Sequence, residues 1–512
     1  MEPSGTTQIL QFIMEEWKLL LFLTCIFALY FYYTSTFDFF EKKGIAFMKP
    51  KIFLGNLGPR LLSKISFHEF QLYIYNYFKG KPYGGMFEGR RPTLYLLDPD
   101  LIKAVTIRDF EHFVDRNALR TNEPRYMSRS LINLKGGEWK GVRSAITPSF
   151  SSARLKNMLP LIETCSQQLA EFLKQYDGKD VEMKDTIGHF TLEVIGACAF
   201  GIRCDAFNDE NAHFVKVAEK FNFMPKGKRF LIFFLLMFAP KAFGLLNISF
   251  MYRESTDELV RILKAAKAER RSSGIKKNDF LQLLIEAAEK EKSDSENTTS
   301  ETHMDDDTID AQSLLFLIAG YETSSTLLSF AIHILATKPD LQESLRAKVQ
   351  EQTNGKDMSY ELLTQLHYLE GFLLETLRMY PPVSRVDRVC TKKYILPGTS
   401  VSVDVGDVVA IPVYGIHMDP DYYPDPHEFK PERFMYDEKR DRPSHLFLAF
   451  GAGPRNCIGL RFAMFSAKLA MVTLLKNFKF SACSKTEDPI KFDSKGFLLK
   501  AGSGLWVHIE KL

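Results

Sequence analysis

The 512-residue chain has no strong charge of either sign: 66 Lys and Arg stand against 63 Asp and Glu, a net charge of +3. That balance is too even to argue for a nucleic-acid surface, and no zinc-finger or basic-arm pattern occurs. Cysteines are few, seven and therefore odd in number, with no C-x-x-C pair, which speaks against a disulfide framework or a zinc site. Nothing matches G-x-x-x-x-G-K-[ST]. The run beginning at Gly451 has Asn456 where the third glycine of G-x-G-x-x-G belongs, so nucleotide cradles are excluded. An Arg-rich, acid-poor presequence is missing, as is any internal repeat. The body of the protein therefore reads as cytosolic.

What is present is ordinary globular composition, 45% hydrophobic and 25% charged, enough for a sizeable core. The 43 phenylalanines suggest aromatic-lined apolar space, although core filling explains most of them.

One segment is not globular. Leu19 to Phe37 carries no charge and is long enough to span a bilayer. Glu15 and Glu16 precede it and the bulky Tyr30 to Tyr33 close it, so it reads as an uncleaved anchor rather than a secretory signal. Lys42, Lys43, Lys49, Lys51 and Arg60 follow, placing the rest of the chain in the cytoplasm by the positive-inside rule and leaving the sequons at Asn247 and Asn297 unmodified. The expected division is an anchor over 1–37 and a globular body over 38–512. Pro50 and Pro59 make a thin hinge between them. A second apolar run, Phe230 to Ala239, is too short to cross; it suits either a monotopic contact or a buried helix.

Gly84 to Leu97 has strand character and Val401 to Val409 suggests a short strand, whereas helical patterns dominate from Ser152 to Lys292. Lys290 to Asp310 is polar and acidic and reads as a mobile loop. The cluster Lys264, Lys267, Arg270, Arg271, Lys276 and Lys277 reads as a solvated helix face.

Phe450-Gly451-Ala452-Gly453-Pro454-Arg455-Asn456-Cys457-Ile458-Gly459 puts a single cysteine in a glycine-rich loop. Gly451, Gly453 and Gly459 would let the backbone bend and approach closely, and amide N–H groups with Arg455 would favour negative charge on sulfur or on an anionic cofactor. Ser313 to Thr337 is a long apolar helix pattern interrupted by Glu322. A charge at a bilayer centre costs about 2.5 to 3.5 kcal/mol, so a buried soluble helix is the better reading. Phe316, Ala319 and Thr323 share one face, where a small residue leaves room for a ligand and a hydroxyl beside an acid can relay protons. Glu375 and Arg378 are spaced i, i+3 on another helix, and Pro431-Glu432-Arg433-Phe434 follows downstream.

In these motifs the chain resembles the cytochromes P450, over essentially its whole length. Phe450, Gly453, Arg455, Cys457 and Gly459 match F-x-x-G-x-R-x-C-x-G; Ala319-Gly320-Tyr321-Glu322-Thr323-Ser324 matches A/G-G-x-D/E-T-T/S; Trp139 and Arg143 match W-x-x-x-R. Gly320 to Ser325, Asp387-Arg388-Val389-Cys390 and Gly453 to Ala463 look most like the clan of vertebrate family 3 and insect families 6 and 9, with insect family 9 the narrower expectation.

The resemblance implies a mainly α fold, a helical prism with small β-sheets, plus the N-terminal transmembrane anchor helix. It implies haem b, iron protoporphyrin IX, with Cys457 as the axial thiolate. It makes Thr323 the hydroxyl facing dioxygen and Glu322 the acid of the proton path. Arg116, Trp139, Arg143, Arg388 and Arg455 become haem-propionate partners, with Phe450 against the macrocycle. Glu375, Arg378 and Arg433 become a buried charge triad behind the cysteine loop, whose loss of one member costs about 3 to 5 kcal/mol.

The reaction implied is RH + O2 + NADPH + H+ to ROH + H2O + NADP+. Electrons would come from NADPH–cytochrome P450 reductase, with cytochrome b5 a further partner, at the endoplasmic reticulum membrane. Lys140 and Arg461 are weak candidates for the reductase contact. Substrate contacts are expected from Leu119 to Ile132, Phe316, Ala319, Val383 to Val386, Ala501 and Gly502, pointing to lipophilic small molecules such as plant toxins or insecticides. Arg385 could select an anionic group. A haem-thiolate peroxide isomerase or dehydratase, an endogenous hormone or fatty-acid hydroxylase, and a ligand-sequestering haem protein remain alternatives.

Overall fold

The computed structural model describes residues 5–117, 125–209, 213–221, 231–232, 235, 253–296, 304–435 and 442–512. Its first helix, α1 (Gly5–Thr34), contains the apolar span Glu16–Thr34, of which only 6% is buried. The last turn of α1 is different. Tyr33 is 2% exposed and packs on Phe53 at 4.8 Å, Arg90 lies 3.9 Å over the Tyr32 ring, and Thr36 Oγ1 donates to Arg90 O at 2.6 Å. This apolar helix therefore ends docked on the body instead of leading into a free tether.

The N-terminal part of the body is built on a four-stranded sheet. Strands β1 (Tyr83–Glu88) and β2 (Arg91–Leu96) form a hairpin, so the strand-like stretch of the sequence is two strands and a turn. They continue, in the order β1-β2-β7-β4, to β7 (Val408–Ile411), parallel to β2, and to β4 (Val386–Val389), antiparallel to β7. A small hairpin, β5 (Tyr394–Ile395) with β6 (Ser402–Val403), lies in the intervening chain. A second sheet joins β3 (Lys179–Glu182), β9 (Trp506–Lys511) and β8 (Phe478–Ser481), all antiparallel. Helix α2 (Phe67–Phe78) covers the first sheet and is started by a capping box between Ser66 and Glu69.

The larger core is helical. Its chain-order helices are α3 (Gly136–Ile146), α4 (Ser152–Lys174), α5 (Met183–Ile195), α6 (Arg253–Ser273), α7 (Phe280–Glu296), α8 (Asp306–Thr337), α9 (Pro339–Thr353), α10 (His367–Met379) and α11 (Leu460–Asn477). Helix α8 starts where Asp305 accepts the Thr308 N–H at 2.8 Å, with Asp306 and Asp307 favourably placed at its positive end. It stops just before Pro339. As its buried residues require, this second long apolar helix is a core element: 56% of its most apolar window is buried.

Two expectations need correction. The polar stretch 290–310 is not one loop, because α7 runs on to Glu296 and α8 begins at Asp306; polarity alone did not separate a solvated helix end from a loop. The basic cluster is only partly solvated. Lys267 and Arg270 are both 6% exposed, Lys267 pairing with Asp310 at 2.6 Å and Arg270 gripping both oxygens of Asp279. The carboxylates of α8 and of the turn before α7 draw them inward. Of Phe230 to Ala239 only Leu231, Ile232 and Leu235 are described, so that membrane contact lies essentially outside the described residues, as do Asn247, Asn297 and positions 119–124 of the expected substrate loop.

Candidate active site

The cysteine loop leads into α11 and is shaped by two glycines. Gly451 and Gly453 have φ of +71° and +70°. At Gly453 a Cβ would lie 1.7 Å from Thr106 O, so only glycine lets the loop press against that backbone. Gly459 is not of this kind: its φ is −86° and a Cβ there would meet nothing nearer than 3.8 Å. The Cys457 N–H donates to Phe450 O at 2.8 Å, closing the loop around the sulfur.

Cys457 is accessible, yet burial by surrounding protein raises its thiol pKa, which places it in a recess rather than on an outer surface. The backbone N–H groups of Gly459 and Leu460 and the charges of Arg116 and Arg143 oppose that rise. Arg455 is not among them. Its guanidinium donates to Val114 O, Leu131 O and Leu134 O at 2.9, 3.0 and 2.7 Å and lies 4.1 Å over the Trp139 ring. Its role is to fold the segment before α3 onto the loop.

Helix α8 is buried from Thr308 to Leu317 and again from Ser325 to Ala336, but Ile318 to Ser324 is accessible and Ala319 is exposed. In a core helix such an opening can only line an internal recess. Ile318 and Tyr321 on one side, and Phe450, Ile458 and Leu460 on the other, are partly buried against the same core. Gly320 allows α8 to approach α5, because a Cβ there would stand 2.4 Å from Ile195 Cδ1. Thr323 Oγ1 donates to Ala319 O at 2.6 Å. Glu322 pairs with Lys184 of α5 at 3.2 Å, and the same ammonium donates to Ser325 Oγ and Thr326 Oγ1 at 2.6 and 2.9 Å. Burial lowers the Lys184 pKa while Glu322 resists the fall. Lys184 has no motif to announce it, and the sequence alone did not find it. Phe316, at 9% exposure, packs against the rings of Phe150 and Phe280.

Four arginines converge here: among the described residues, Arg116, Arg143, Arg388 and Arg455 make no ion pair with a carboxylate, and Asp387 and Asp115 only partly offset their charge from further off. Arg388 is 1% exposed, and its Nε and Nη2 have no partner, nor has Arg116 Nε. Burial and then mutual repulsion push Arg388 down to about 9. Arg143 holds Asn456 O and Oδ1 at 3.1 and 2.9 Å, tying α3 to the loop. Such a buried cationic cluster is costly unless an anion joins it.

Arg385 is the opposite case and corrects the expectation of an anion selector. It is paired with Glu88 and lies 3.6 Å from Asp387, so its charge is already answered.

Behind the loop, Glu375 grips Arg378 through two 2.7 Å bonds, both side chains at 0% exposure, and Arg433 joins Glu375 at 3.3 Å. The buried charge triad expected of these residues is thus formed.

The cytochrome P450 family model matches residues 48–507. This chain belongs to the cytochrome P450 family. Cytochrome P450 9e2 of Blattella germanica is 40% identical over 507 residues, covering 93% of this chain and 95% of that relative. Cytochrome P450 6k1 of the same insect is 35% identical over 503 residues, 95% of each chain, and cytochrome P450 3A9 of Rattus norvegicus is 36% identical over 497, again 95% of each. Insect families 9 and 6 and vertebrate family 3 therefore stand together around this P450, as its motifs indicated.

The enzyme is a P450 monooxygenase, and its family implies haem with a cysteine-thiolate axial ligand. The residues present fit that group. Cys457 supplies the accessible sulfur, and the unpaired guanidinium groups of Arg116 and Arg388, with Arg143, suit two buried carboxylates. Trp139, 5% exposed, walls the same region through its contacts with Arg455 and Phe110.

Proposed function

We propose that this P450 is a microsomal monooxygenase, anchored in the endoplasmic reticulum membrane through residues 1–37 with its catalytic body, 38–512, on the cytosolic side, that hydroxylates lipophilic foreign compounds. Haem b, held by Cys457, would supply the activation of dioxygen. Everything else is done by the chain. The arginine cluster Arg116, Arg143 and Arg388 would hold the two haem carboxylates, and Phe450 would wall the group. Ala319 leaves space above the reacting centre. Thr323 holds a proton at Oγ1, which it must release from Ala319 O before it can present it to oxygen. Glu322 resupplies that proton from the Lys184 side of α8. Water is limited by the apolar core on both flanks of the opening.

The observation that carries this reading is the set of buried guanidinium atoms without partners beside an accessible cysteine. An acid and alcohol in the open stretch of α8 favour oxygen activation over peroxide rearrangement. Electrons would come from NADPH–cytochrome P450 reductase, with cytochrome b5 as a second donor; Lys140 and Arg461 are both exposed. Detoxification is favoured by the company of insect families 6 and 9.

The test is the reduced, carbon-monoxide-bound difference spectrum of the membrane-expressed protein, followed by turnover of lipophilic substrates with reductase and NADPH. A red-shifted Soret band that disappears in Cys457→Ala, with NADPH-dependent product, is expected. Retained hydroxylation in Cys457→Ala would refute the assignment, and NADPH-independent turnover of hydroperoxides would replace it with the isomerase.

A further inference from the structure

His417 ends the short helix Val413–His417 and is fully buried, at 0% exposure. Its ring is held between two backbone groups. Nδ1 lies 3.1 Å from Arg378 O, and Nε2 lies 3.0 Å from the Leu448 nitrogen, whose N–H can only donate. Nε2 must therefore carry the lone pair and Nδ1 the proton, which donates to Arg378 O. One neutral tautomer satisfies both neighbours, and the imidazolium would satisfy only one. Burial and then the Arg378 charge push the ring down to about 3, in keeping with that geometry.

The same residue is bound to the charge triad by its backbone, since Arg378 Nη1 donates to His417 O at 2.8 Å. On its other side the ring stacks on Phe447, with centroids 5.6 Å apart and planes 7° from parallel. His417 thus grips two consecutive residues of the approach to the cysteine loop, Phe447 by its face and Leu448 by its N–H. From there the path continues: Leu448 O accepts the Gly451 N–H at 2.8 Å, and Phe450 O accepts the Cys457 N–H at 2.8 Å. Glu375 and Arg378 do not touch the loop in this path; the imidazole stands between them and it.

We propose that His417 is a positioning residue for Cys457, transmitting the fixed frame of the Glu375–Arg378 pair to the cysteine loop through its bond to Leu448. This rests on the reading of Cys457 as the haem ligand. The triad is the rigid object, the loop is the part that must be placed, and His417 sets the height at which the sulfur is offered. If the approach shifts, Leu448 O and Phe450 O no longer hold the Gly451 and Cys457 N–H groups in their present places, and the sulfur is offered from a different position.

Three variants separate the two ring bonds. His417→Gln is long enough to offer an oxygen to Leu448; His417→Asn reaches only Arg378 O; His417→Leu makes neither bond. The readout is the share of thiolate-type against neutral-thiol-type Soret band in the reduced carbon-monoxide complex of the haem-loaded protein, with the haem reduction potential measured alongside and helix content followed by circular dichroism. The expected result is a thiolate share near wild type in Gln, a several-fold loss in Asn and the greatest loss in Leu, with the potential rising in the same order at unchanged helix content. If Leu fails to take up haem, Gln standing above Asn decides in favour. Asn matching wild type, or Gln falling as low as Asn, overturns the proposal. A wild-type protein without a thiolate band would instead overturn the reading of Cys457.

Discussion

Lys184 and Glu322 form an ion pair across the contact between α5 and α8, and the ammonium holds its partner twice, by the carboxylate and by the backbone carbonyl, each at 3.2 Å. The acid beside Thr323 is consequently tethered away from free rotation, and in the proposed proton path that tether must loosen before a proton is delivered.

Changing either partner should therefore alter coupling rather than haem binding. Glu322→Gln is expected to lower kcat by roughly a hundredfold, the low end of general acid–base effects. Lys184→Met is expected to change the ratio of product to NADPH while haem content and the carbon-monoxide spectrum stay normal. Thr323→Ala should divert NADPH to peroxide or water. Measuring NADPH, product and peroxide together checks all three; wild-type ratios in each would remove these residues from the proton path.

Arg388 and Arg385 are separated by three positions and should behave oppositely. Arg388, whose Nε and Nη2 have no partner, is a proposed propionate holder, and a hydrogen bond to a charged group contributes about 1.5 to 3 kcal/mol, so Arg388→Met should speed haem release to a scavenging apoprotein by roughly tenfold to a hundredfold. Arg385→Leu strands Glu88 and should lower the unfolding midpoint without comparable haem loss. Equal haem release from both variants would contradict the assignment.

Gly453→Ala combines a left-handed φ with a contact that no rotation relieves, since a Cβ has no torsion of its own. Haem incorporation should fall to a small fraction of wild type. Gly459→Ala has neither problem and should retain most of its haem, which absorbance at the Soret band relative to protein will show.

Acid should destabilise the fold through its buried histidines. Burial holds His68 and His333 down at about 4 and His417 at about 3. An unfolded histidine titrates near ~6.5. Below that pH the unfolded chain binds protons that the folded chain refuses, so this stability is complete above about 6.5 and is lost as pH falls toward 4 and 3. Each group contributes a slope of about 1.4 kcal/mol per pH unit within its window. Urea midpoints measured at neutral and mildly acid pH should fall accordingly, and His333→Leu should make the fall shallower.

Much of the site was legible because its signals are contiguous in the chain. The cysteine loop, Gly320 to Thr323, and Glu375 with Arg378 each show their chemistry within a few residues, and an uncharged run announced α1. What escaped depends on partners far apart in sequence. Lys184 meets Glu322 across 138 positions, Arg385 meets Glu88 across 297 and His417 meets Leu448 across 31. No spacing rule joins such pairs, so Arg385 looked available for substrate and His417 looked like nothing in particular. Arg455 shows the same limit: its place two residues from sulfur is legible, but the carbonyls of Val114, Leu131 and Leu134 that hold its guanidinium are not.

The docking of Tyr32, Tyr33 and Thr36 onto Arg90 and Phe53 makes α1 a lever. A spanning helix tilts to match the hydrocarbon thickness around it. With α1 in the bilayer as proposed, its contacts with Phe53 and Arg90 would pass that tilt to the folded body, and with it the direction from which a lipid-dissolved molecule approaches. Bilayer thickness would then be a mechanical input to the enzyme.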